Sequence, residues 1–69
     1  LAQISDPAHI SALVARVLNE NPEQVAEYLG GKTGLSGWFF GQVMQATRGK
    51  ANPNIVKSEL DLQLASLED

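Results

Sequence analysis

Residues 6–22 read DPAHISALVARVLNENP and carry two helix-start signals with one apolar stripe between them. The stretch opens on Asp6-Pro7 and closes on Asn21-Pro22. Asp or Asn at a helix N-cap accepts a bond from an amide that the helix leaves unpaired, and Pro at the first helical position has no amide to lose. Between the two pairs, Ile10, Leu13, Val14, Val17 and Leu18 follow the spacing of one buried helical stripe. The pattern predicts a first helix from Pro7 to about Asn19 and a second beginning at Pro22. His9 falls in the first turn, where the helix dipole disfavours imidazolium, and reads as a surface residue.

The same signal recurs once more, at Asn52-Pro53, so all three prolines mark helix starts. The second helix stops at Gly30-Gly31, a pair suited to a left-handed C-cap, and its Val25, Tyr28 and Leu29 share one face. Asn21 with Gln24 has the form of a capping box. A third helix begins between Thr33 and Ser36 and ends at Gly49. Its apolar side gathers Leu35, Phe39, Phe40, Val43, Met44, Ala46 and Thr47. A fourth runs from Pro53 to about Leu67 on a stripe of Val56, Leu60, Leu64 and Leu67, with Ile55 and Leu62 on a second side that a lone bundle would leave wet. The expectation is an all-α fold, a small bundle of three to four short helices forming one domain over residues 1–69.

At 69 residues a core rarely supplies more than about 3–5 kcal/mol, and with no Cys and one His there is neither a disulfide nor a zinc site to add to it. The chain starts at Leu1 and reads as part of something longer. With no apolar run near ~18 residues and no secretory start, it reads as a cytoplasmic module without a membrane span. No nucleophile has a base beside it, and the acidic pairs Glu23/Glu27 and Glu59/Asp61 have exposed helical spacing. No catalytic site is expected.

Net charge is −3, yet no Asp or Glu stands between Glu27 and Glu59, and that interval holds Lys32, Arg48, Lys50 and Lys57. All six glycines lie between Gly30 and Gly49. Screening acts over about 8 Å at physiological salt, so local sign matters more than the total. Gly31-Lys32-Thr33 fails as a nucleotide-binding loop: Ala26 stands where that pattern needs Gly, and a helix precedes where it needs a strand. On the helical wheel Gly37, Gly41, Gln45 and Arg48 share the outer side of the third helix, with Trp38 and Gln42 on its shoulder. Each interior Gly costs about 1 kcal/mol relative to Ala, so two at i and i+4 imply that something approaches the backbone. A neighbouring helix is the commoner cause, and a lone Trp38 is more often core than stacking platform. Cations at both ends of this helix suit phosphates, and exposed amides could add contacts without reading sequence.

Tyr28, Gly31-Lys32, Gly37, Gly41-Gln42-Val43-Met44, Thr47 and Gly49-Lys50-Ala51-Asn52-Pro53 together resemble the C-terminal tail of the B subunit of glutamine-dependent aspartyl/glutamyl-tRNA(Asn/Gln) amidotransferases, the GatB/YqeY type. The likeness covers roughly residues 20–66. It implies a helical subdomain that grips tRNA near the outer corner of its L shape, within a parent ligase that uses ATP, Mg²⁺ and glutamine elsewhere and assembles with A and C subunits. By position, Lys32, Arg48 and Lys50 match cationic places of the family. Gln45 stands where Lys is frequent, and Trp38 where Phe is. The tRNA-binding expectation therefore names Lys32, Arg48 and Lys50 for phosphates, Gln42, Gln45 and Asn52 for hydrogen bonds, and Gly37 and Gly41 for close backbone approach. The competing expectation is a protein-interaction module, with the Gly37/Gly41 face and the Ile55/Leu62 side docking other helices and no RNA contact.

Overall fold

The computed structural model describes residues 4–68. Four helices follow in order: α1 (Pro7–Glu20), α2 (Pro22–Leu29), α3 (Leu35–Ala46) and α4 (Pro53–Leu67). The fold is the all-α bundle expected. Each Asx-Pro pair stands at a helix start, and two of the three cap as the chemistry requires. Asp6 accepts from the Ala8 amide at 3.0 Å, and Asn52 from the amides of Asn54 and Ile55 at 2.9 and 3.3 Å.

Asn21 departs from the expected capping box. It ends α1 and starts α2 at once, and its side chain serves the first of these ends. Its Nδ2 donates to the Val17 carbonyl at 2.8 Å, and α2 has no side-chain cap. The final carbonyls of α1 win over the first amides of α2.

The core forms where α1, α3 and α4 meet. Ile10, Val14, Phe39, Val43 and Val56 have no exposed surface, and Leu60 and Leu64 almost none. Burying a side chain of this size fully is worth about 1.5–3 kcal/mol each, which is the source of the bundle's cohesion. α2, at 8 residues, is too short to be stable alone and leans on α1 and α3 through the half-buried Val25 and Tyr28.

Four apolar assignments need correction. Leu29 and Leu67, each 45% exposed, lie off the core, because α2 and α4 end before another helix covers their last turns. Ala46 is exposed on the wall of an open groove facing the end of α1. Ile55 packs against the core instead of standing wet, which leaves Leu62, 65% exposed, alone on its side of α4.

Two tertiary ties carried no pattern in the sequence. Ile4 pairs in parallel with Ala51: its amide donates to the Lys50 carbonyl and its carbonyl accepts from Asn52, both at 2.7 Å. Gln63 on α4 donates through Nε2 to the Ser11 carbonyl on α1 at 2.8 Å. Among the described residues no helix is long and apolar enough to cross a membrane.

Candidate nucleic-acid interface

The two ends of α3 are built by the same device. At the end of α2, the Gly31 amide donates to the Tyr28 carbonyl and the Lys32 amide to the Glu27 carbonyl, both at 3.1 Å. Gly31 takes a left-handed φ of 123°, while Gly30 stays right-handed. This is the paired closure of a Schellman motif, and the left-handed place falls on the second glycine of the pair. At the end of α3, the Arg48 amide reaches the Gln45 carbonyl at 3.1 Å and the Gly49 amide the Met44 carbonyl at 2.8 Å. Here the left-handed place belongs to Arg48, with φ 56°, followed by Gly49 at 77°. A cation sits where glycine is usual, at a helix end whose dipole favours positive charge.

Thr47 fixes this second turn from inside. It is the one buried polar residue among the described residues, and its hydroxyl donates toward the Met44 and Val43 carbonyls at 3.1 and 3.3 Å. The same oxygen accepts from the buried Ala51 amide at 3.3 Å. Through Thr47 on one side and the Ile4 pairing on the other, the Arg48–Asn52 turn is held in place. Its amides are spoken for: Lys50 donates to the Thr47 carbonyl, Ala51 to Thr47 Oγ1 and Asn52 to Ile4. Phosphate contacts at this turn therefore fall to side chains, with the charged ones on Arg48 and Lys50 and a neutral donor on Asn52, whose oxygen alone is used in capping α4. Arg48 and Lys50 are both exposed, and neither belongs to an ion pair among the described residues.

Lys32 is placed differently. It lies before α3, a helix of 12 residues, so about 18 Å of axis separate it from Arg48. Its Nζ pairs with Glu27 Oε1 at 3.0 Å, in an exposed bridge of the kind worth roughly 0–1 kcal/mol. The two ends act as separate electrostatic centres. Folding also brings acids to the acid-free segment: Glu20 stands on the groove wall opposite Gln42 and Gln45, and Asp61 on the wall opposite Gly37. The Arg48–Lys50 turn is the end that keeps unpaired positive charge.

Between the ends, Gly37 is exposed at the edge of the groove between α3 and α4, and Gly41, one turn on, is half-buried. A Cβ built at either would meet nothing within 4 Å. The neighbouring-helix explanation for these glycines therefore finds no partner among the described residues. Trp38 is 37% exposed and meets Phe39 edge-on at 5.3 Å between ring centres, so it is no core residue. Gln42 is half-buried and Gln45 exposed, both facing α1. Asn52 uses its oxygen in capping α4. The structure thus sets Gly37 on the α3–α4 groove with Gly41 and Trp38 near it on the same helix, groups Arg48 and Lys50, and leaves Lys32, Gln42 with Gln45, and Asn52 in three other settings.

Sequence reading passed over the groove between α3 and α4. Ser36, Gly37 and Phe40 form one wall, and Lys57, Leu60 and Asp61 the other, around about 230 Å³. The signal was present in Lys57 and Asp61, one helical turn apart on α4. The larger groove, about 380 Å³, is lined by α1, the start of α2 and the end of α4, with Leu18, Val25 and Leu67 on its walls. Among the described residues no three of His, Asp and Glu stand together to hold a metal ion.

Comparison with known proteins gives these surfaces a family. The profile of the GatB domain matches residues 1–64. The B subunit of the glutamyl-tRNA(Gln) amidotransferase of Ricinus communis, named as chloroplastic/mitochondrial, is 52% identical over 64 residues, 93% of this chain and 12% of that protein. The B subunit of the aspartyl/glutamyl-tRNA(Asn/Gln) amidotransferase of Geobacter sp. (strain M21) is 53% identical over 60 residues, 87% of this chain and 12% of that protein. That of Salinibacter ruber is 48% identical over all 69 residues, 14% of its own length. The chain thus spans about an eighth of the relatives it matches. No solved structure matches it significantly. With a profile match over 64 of its residues and close to half its positions shared with B subunits, the chain belongs to the GatB domain family.

Proposed function

We propose that this chain is a tRNA-binding segment of an amidotransferase B subunit, helping to position misacylated Glu-tRNA(Gln) or Asp-tRNA(Asn) while other parts of the parent carry out an ATP-dependent amide transfer from glutamine. The observation that carries the reading is the glycine-bearing side of α3. Its two glycines face open space, the exposed Trp38 lies beside them, and the unpaired cations Arg48 and Lys50 project from the turn that ends it. In a chain about half identical to proteins named for tRNA amidotransferases, this is a surface suited to phosphate, ribose and base faces. Arg48 and Lys50 act as the main phosphate contacts. Lys32 adds one by exchanging Glu27 for phosphate, and Gln42, Gln45 and Asn52 contribute at the margin. ATP and Mg²⁺ belong to the rest of the parent, as do the contacts with its A and C subunits. Few cations make a weak module, effective by addition to other contacts of the same enzyme.

Deleting this segment from the parent tests the proposal. tRNA affinity should fall while glutaminase activity persists, and an unchanged affinity refutes the role. The docking alternative is favoured by one observation, the exposure of Leu62 and Leu67 on α4. It predicts that Leu62→Ser disrupts assembly of the parent and that charge reversal at Arg48 and Lys50 changes nothing.

A further inference from the structure

The α3–α4 groove combines an apolar lining with two opposite charges. Its floor is apolar, formed by Phe40 and Leu60, and its rim carries one cation and one carboxylate, Lys57 and Asp61. These two stand at i and i+4 on α4, the spacing at which opposite charges usually pair, yet the ion pairs among the described residues are Arg16–Glu20 and Lys32–Glu27. Both charges are left without a protein partner at the mouth of the groove. Gly37 lies on the facing wall, and the space where its Cβ would be is empty, so the glycine keeps that wall open. At about 230 Å³ the groove is smaller than the ~300–1,000 Å³ of drug-sized sites and of a size for a single planar ring system.

We infer that the groove between α3 and α4 is a nucleotide subsite that takes one unpaired guanine of a bound RNA. The inference rests on the tRNA reading above and deepens it. Unpaired bases are held by stacking on aromatic or apolar side chains and by hydrogen bonds to their Watson–Crick edge. A carboxylate is acceptor-only, and guanine presents two adjacent donors on that edge, its ring N1–H and its exocyclic amino group. Asp61 selects for that pair of donors. Lys57, one turn nearer the start of α4, neutralises the phosphate that accompanies the base. Adenine offers an acceptor where guanine offers N1–H and is disfavoured by the same carboxylate.

The test uses the 69-residue chain and single-stranded oligonucleotides that differ only in one central base: guanine, inosine or adenine. Binding and amide shifts are followed by NMR at low salt, with tRNA as a parallel probe. Guanine should bind tightest and adenine about tenfold more weakly, with inosine, which lacks the exocyclic amino group, between them. Shifts should centre on Gly37, Phe40 and Lys57. Asp61→Asn should flatten the preference, and Gly37→Leu, which adds its side chain into empty space, should block the subsite without unfolding the chain. Equal affinity for the three bases, or a guanine preference that survives both substitutions, overturns the subsite while leaving cation-driven tRNA binding intact. Absence of any tRNA binding at low salt removes the reading on which the subsite rests, and the subsite with it.

Discussion

Replacing Gly37 and Gly41 together with Ala should make this protein more stable and worse at its work. Neither added Cβ meets an atom within 4 Å, and neither glycine has the positive φ that would make a side chain strained. Replacement at Gly41, inside the helix, therefore returns about 0.8–1 kcal/mol of helix propensity, and at Gly37, in the first turn, up to that amount, with no packing term opposing either. The two sites are one turn apart on the same helix, so the gains combine only approximately, to about 1–2 kcal/mol. For a domain of this size a kilocalorie moves the midpoint by about 4–8 °C, which places the double variant roughly 4–16 °C higher. Thermal unfolding followed by circular dichroism measures this directly. If the glycines exist to let RNA approach the α3 backbone, tRNA affinity should fall severalfold in the same variant. A lower melting temperature refutes the claim that the glycine-bearing side of α3 is unpacked. A raised melting temperature with unchanged tRNA affinity refutes the claim that a ligand needs the bare backbone.

Other substitutions probe the turn that presents the cations. Thr47→Val keeps the shape but leaves the buried Ala51 amide without its acceptor, and should destabilise by about 1–3 kcal/mol in a denaturant titration. Arg48→Gly relieves the left-handed strain at φ 56° and should stabilise by about 1 kcal/mol while weakening tRNA binding. Gln63→Ala removes the bond from α4 to Ser11 and should lower stability by about 1 kcal/mol with tRNA affinity unaffected, read by the same two assays.

The fold was legible because helix starts and helix stripes are local. Asp6-Pro7, Asn21-Pro22 and Asn52-Pro53 placed three helices within a residue or two of their ends. What escaped was decided by contacts distant in sequence or by competition at a junction. Asn21 could satisfy α1 or α2, and only the geometry of the junction shows that α1 takes its donor. A wheel assigns Leu29, Ala46 and Leu67 to apolar faces but cannot know where a covering helix ends. The site was legible as a set of residues and not as an arrangement. Sequence put Lys32, Arg48 and Lys50 in one acid-free block, whereas the fold pairs Lys32 with Glu27 and leaves the unpaired charge at the Arg48–Lys50 turn. The role of Gly37 in opening a groove toward Lys57 and Asp61 depends on α4 lying against α3, which no local pattern encodes.

The central claim is that Arg48 and Lys50, with Lys32 assisting, engage tRNA phosphates. Its most direct measurement is the salt dependence of tRNA binding to the wild-type chain and to the Arg48→Glu/Lys50→Glu variant. Each phosphate contact contributes about 0.7–0.9 to the slope of log affinity against log salt. The wild type should show a slope of about −2 to −3, and the variant should lose most of it together with its affinity while staying folded and melting a few degrees lower, because carboxylates at the end of α3 oppose the helix dipole. Wild-type and variant curves that coincide in slope and affinity would contradict the account.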